Sequence, residues 1–99
     1  FARLGWQLPV MEIQFNVQIW REGAQFVAHA MPLDLASSGP TPPAARQALD
    51  EAVDLFLKTA TDHGTLTEVL EDAGYEFDSG QWRSPDWVAV ERHTAAVAA

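Results

Sequence analysis

Ninety-nine residues carry 14 acids against 6 bases, a formal charge of −8, and no cysteine. Domains typically run about 100–150 residues, so one domain with one core is expected, without disulfide staples, thiolate zinc sites or a cysteine nucleophile. The acidity excludes the basic footprint of a nucleic-acid surface, and no apolar run approaches the length of a membrane span.

Residues 1–10 (FARLGWQLPV) show no periodicity. They read either as a leader ahead of a natural start at Met11 or as an N-terminal arm packing Trp6 on the domain. No basic n-region leads into an apolar h-region, and a cytoplasmic protein is expected. From Met11 the alternation is strict: Ile13, Phe15, Val17 and Ile19 are apolar, and Glu12, Gln14, Asn16 and Gln18 are polar. Period two with β-branched and aromatic residues predicts a half-buried strand. Residues 20–24 (WREGA) have turn chemistry around Gly23. A second strand follows over 25–31, with Phe26, Ala28 and Ala30 on one face and Val27, His29 and Met31 on the other. Pro32 ends it, and 33–38 supply a short third strand. The first half is thus a three-stranded antiparallel meander.

Thr41 is a reasonable N-cap, and Pro42 suits the first helical position. The helix runs to about Thr61 with a stripe of Ala45, Leu49, Ala52, Val53, Phe56 and Ala60, flanked by Leu57. It should lie on one sheet face, the two-layer α+β solution. Gly64 is a candidate left-handed cap. Thr65 and Glu68 then read as a capping box for a shorter helix whose apolar side is Leu66, Val69, Leu70 and Ala73, closed by Gly74. Residues 75–78 and 81–83 flank Ser79-Gly80 as a hairpin, broken by Ser84-Pro85. Residues 87–93 look like a last strand with Val88 and Val90 on one face. Residues 11–93 form the single domain, and the Ala-rich residues 94–99 are a frayed tail.

Little here points to catalysis. His29, His63 and His93 are scattered, without the spacing of a metal site or a tie to a nucleophile. His63 has a structural reading beside a helix C-terminus. Asp50 and Asp54 lie one turn apart, and with Asp34 they could build a metal-dependent nuclease site; solvated helix acids are the plainer account. No phosphate loop and no nucleophile elbow occur, and no cofactor or resident metal is expected. A binding protein is expected, not an enzyme. Phe15, Phe26 and Phe56 are core by position, whereas Trp20, Trp82 and Trp87 read as core or as interface anchors.

The charge is concentrated. Residues 1–49 and 79–99 each sum to zero, and residues 50–78 hold nine acids against Lys58 alone. That segment is either a solvated helical surface or a docking face for a basic partner.

Four pieces in order add a resemblance: Phe15–Ile19; the stretch Gln25 to Leu35 with its aromatic-Val-Ala start and Pro32; Ala36 to Pro42 before an Ala/Leu-rich helix (Ala45, Ala48, Leu49, Ala52, Leu55, Phe56, Leu57); and Gly64 to Tyr75. Together they resemble the HicB family of antitoxins from type II toxin–antitoxin pairs. Pro40 departs from the family's usual acid, as do Pro43-Ala44, and His29 and Met31 stand where Arg or Cys is common. The resemblance implies a reduced RNase H-like α+β domain. It also implies a partner: a HicA-like toxin, a small basic protein that cleaves mRNA with a single histidine and is capped by its antitoxin. Residues after Tyr75 show no recognition helix of the DNA-binding modules that such proteins often add, so promoter binding is not implied.

The expected partner-binding residues are Asp50, Glu51, Asp54, Glu68, Glu71 and Asp72. The alternatives are a solitary oligomeric binding domain of the same family, or the nuclease of Asp34, Asp50 and Asp54. Exposed edges of a small antiparallel sheet predict a homodimer or higher homo-oligomer in any case.

Overall fold

The computed structural model describes residues 11–98; the two readings of residues 1–10, and the last residue of the Ala-rich tail, lie outside them. The architecture is α+β. Strands β1 (Asn16–Glu22), β2 (Gln25–Met31) and β3 (Leu35–Gly39) form an antiparallel sheet in that order. Helices α1 (Pro42–Asp62) and α2 (Leu66–Asp72) follow, and strands β4 (Glu76–Asp78) and β5 (Gln81–Arg83) make a separate two-stranded hairpin.

The first strand is displaced from the pattern that predicts it. Its ladder starts at Asn16, not Met11, because Asn16 pairs with Met31 and the next residue of β2's chain, Pro32, has no N–H to donate. It also runs through Trp20, Arg21 and Glu22, which the sequence reading assigns to a turn. Glu22 pairs with Gln25 across a two-residue loop, and Gly23 takes φ +62. Residues ahead of β1 pair elsewhere: Ile13 bridges Trp82 in parallel, and the Trp82 N–H donates to the Glu12 carbonyl at 3.3 Å. Ile13 and Phe15 still pack on the core, so the alternation is obeyed although the ladder is interrupted.

Between β2 and β3 the chain reverses through Pro32, buried Leu33 and Asp34. Asp34 sits at φ 60, and its N–H donates to the Ala30 carbonyl at 2.8 Å. This three-residue turn moves the start of β3 to Leu35.

Helix α1 forms where its caps and stripe predict. Thr41 is the N-cap, its Oγ1 accepting from the Ala44 N–H at 3.2 Å, and Pro42 is the first helical residue. Ala45, Leu49, Val53 and Ala60 are buried. They lie against β3 and β2, where Ala28 and Ala30 are fully buried and small enough to let the helix approach the sheet. Leu70, Tyr75 and Trp82 close the same core, with Phe15, Phe26 and Phe56 half-buried around it.

Both helices end alike. The Gly64 N–H donates to the Thr61 carbonyl and the Thr65 N–H to the Ala60 carbonyl; Gly74 and Tyr75 repeat this on Glu71 and Leu70. With Gly64 at φ +71 and Gly74 at φ +98, these are Schellman closures. The closure of α1 removes the expected capping box of α2. The Thr65 hydroxyl is drawn back to donate to the Ala60 carbonyl at 3.3 Å, and it makes no bond to the first turn of α2.

The β4–β5 hairpin turns on Ser79 and Gly80, both at positive φ as a type I′ turn requires. The expected last strand is absent. Residues 84–98 have no regular structure, and Val88 and Val90 are 95% and 71% exposed. A strand exists only by laddering with a neighbour, and among the described residues none pairs with this segment.

Tyr75 ties the second half to the first. It is 3% exposed, its hydroxyl donates to the Gln14 carbonyl, and burial pushes its pKa up to about 12. The folded pKa is raised above the unfolded one, near 10. The contribution to stability is therefore complete below the unfolded value and lost as pH rises through the folded one. Tyr75→Phe should cost about 1 kcal/mol at neutral pH through the lost hydrogen bond. In urea unfolding, that gap should close within about one pH unit above the unfolded pKa and reverse before pH reaches about 12. Because Tyr75 is the single tyrosine, tyrosinate absorbance reads its titration alone.

Candidate partner-binding surface

Helix α1 buries one stripe, so its opposite face is set by the 3.6-residue period. Asp50, Glu51 and Asp54 all fall there and are exposed. Glu68, Glu71 and Asp72 stand exposed on α2. The six predicted residues do not converge on one point. At 1.5 Å per residue, Asp54 precedes the C-terminal residue of α1 by about 12 Å, and the α2 acids lie beyond the intervening turn. They are exposed acids on two successive helices.

This surface is not neutralised from within. Of the nine acids in residues 50–78, only Asp78 has an ion-pair partner among the described residues, Arg83 at 3.5 Å. The remaining ion contacts lie elsewhere, His29 with Asp34 and His93 with Glu91, each at 2.7 Å.

Two exposed apolar residues beside the acids were not singled out from the pattern. Leu55 is 66% exposed, one turn from Glu51 on the same helix. Its place outside the buried stripe was a legible signal. Phe77 is 55% exposed and meets Trp82 edge-on at 5.1 Å. With Met11, Thr67, Glu71 and Trp82 it lines an open, mostly apolar groove of about 390 Å³ beside α2. Its signal was weak, because three-residue strands give too short a run to assign a face.

The tryptophans divide. Trp82 is core at 5% exposure, whereas Trp20 and Trp87 are each 41% exposed. Trp20 leans on His29 on the sheet face turned away from α1, with ring centres 6.0 Å apart. His63 performs the structural role expected of it, its Nδ1 2.9 Å from the Thr59 carbonyl in the last turn of α1.

The nuclease constellation does not assemble. Among the described residues no three His, Cys, Asp or Glu side chains are grouped to hold a metal ion, so Asp34, Asp50 and Asp54 are not brought together as ligands. Asp34 is turned by its left-handed backbone toward His29, and Asp50 and Asp54 follow the solvent face of α1. Among the described residues no helix is long and apolar enough to cross a membrane.

Fold and surface together define a small α+β domain with an acidic helical face. Comparison with family models, curated proteins and solved structures returns no match.

Proposed function

We propose that this chain is an antitoxin of the HicB type, which binds and neutralises a small basic HicA-type toxin that cleaves mRNA. The observation that carries the reading is the uncompensated charge: eight exposed acids of residues 50–78 have no ion-pair partner among the described residues. A basic RNA-binding surface is the complement of such a face, and occluding it needs no catalytic group. The acids steer encounter and exclude wrong partners. Leu55 and Phe77 supply apolar contact area beside them.

The test replaces Asp50, Glu51 and Asp54 by Asn or Gln, and separately Glu68, Glu71 and Asp72. Association with a HicA-type toxin encoded beside the chain's own gene is then timed at low and high salt. The association rate should fall about tenfold at low ionic strength. The difference should vanish when salt shortens the screening length to about 3 Å. Capture that is unchanged at low ionic strength overturns the electrostatic reading. A neighbouring gene with no short basic product favours the solitary binding domain.

A further inference from the structure

Strand β1 is an edge of its sheet, and among the described residues nothing pairs with its outer side. Along its seven residues the N–H and C=O groups of alternate residues face outward, the others being turned to β2. The same chain carries an arm that forms no ladder among the described residues: Ser84 to Trp87 pass beside Gln14 to Asn16, and the residues beyond are exposed. Drawn into a strand, that arm would set Val88 and Val90 on one side and Trp87 and Ala89 on the other.

We infer that residues 86–91 of one copy add as an antiparallel strand to the open edge of β1 in a second copy, so that two copies exchange arms. The side chains choose the register. On β1, Val17, Ile19 and Arg21 face the helix side of the sheet, since they pair with Ala30, Ala28 and Phe26. Setting Val88 opposite Ile19 and Val90 opposite Val17 extends the core past β1, where Val17 is 39% exposed. That single choice also sets Asp86 opposite Arg21, which has no carboxylate partner among the described residues. On the other face it sets Trp87 opposite Trp20, covering two half-exposed indoles.

Competing arrangements are worse. A slip of one residue turns both valines to the opposite face. A parallel strand with the valines on Val17 and Ile19 sets Arg92 against Arg21. Two-fold symmetry makes the exchange reciprocal, so each contact occurs twice.

The inference is independent of the antitoxin reading and is tested on the whole chain alone by light scattering across the micromolar range. The unmodified chain should be a dimer. Val88→Asp and Val90→Asp, at exposed positions, should leave cooperative unfolding intact and raise the dimer dissociation constant about tenfold or more, the shift that about 1.4 kcal/mol produces. Arg21→Asp and Asp86→Arg should each weaken the dimer, and the two together should restore it. A monomer throughout, a dimer indifferent to the arm substitutions, or a swap that fails to restore association overturns the proposal.

Discussion

Leu49→Ala should lower the unfolding free energy by roughly 2–5 kcal/mol. Leu49 is fully buried at the middle of the α1 stripe and is among the largest side chains with no exposure. Removing it loses the transfer energy of the deleted carbons and leaves a cavity that helix and sheet cannot close without moving their backbones. Small domains have only about 5–15 kcal/mol in total, so the loss is a large fraction of the fold. In a domain this size it corresponds to a fall in Tm of about 10–30 °C. Leu55→Ala, on the same helix but outside the buried stripe, is the control: the side chain is 66% exposed, and a change within about 0.5 kcal/mol is expected. Urea denaturation of both variants makes the comparison. Equal losses would mean that the helix does not present the face described.

Gly39→Ala should destabilise by about 1–3 kcal/mol although it adds a single methyl. Gly39 ends β3, pairs with Phe26, and lies buried under the first turn of α1. A Cβ there would stand 2.8 Å from the Ala45 nitrogen and 2.9 Å from both the Ala44 carbonyl carbon and the Ala44 Cβ. Two of those three atoms are backbone, so relief requires the helix N-terminus to shift, with its Thr41 cap. For the same reason Ala44→Gly should not rescue the variant, since it removes only the third contact. Thermal unfolding of the single and double variants checks both statements. Gly23 poses the opposite case: a Cβ there meets nothing within 4 Å, and the constraint is the left-handed φ alone.

Much of this fold was legible because its signals are local. The bounds of β2, the Thr41 cap with Pro42, the buried positions of α1, and the glycine closures at Gly64 and Gly74 all follow from residues within one or two turns of each other. The hairpin at Ser79-Gly80 is local for the same reason. Most of the expectations that failed concern pairing between segments. Residues 87–93 have strand composition, yet composition supplies no ladder partner, and they stand exposed. Trp20 to Glu22 look like a turn in isolation but are held extended by Val27 to Gln25. Thr65 has a capping sequence, and the end of α1 competes for its hydroxyl.

The candidate surface divides in the same way. Periodicity alone assigns Asp50, Glu51 and Asp54 to the solvent face of a helix, and the concentration of charge in residues 50–78 can be counted from the chain. That those acids lack internal ion pairs, that Phe77 opens a groove beside Glu71, and that Asp34 joins His29 and not Asp50 depend on where distant segments come to rest. Backbone torsions and caps act between neighbours in sequence, so they are written residue by residue. Ladder partners, exposure and charge pairing are shared between segments tens of residues apart, and they take a value only when the chain has closed on itself.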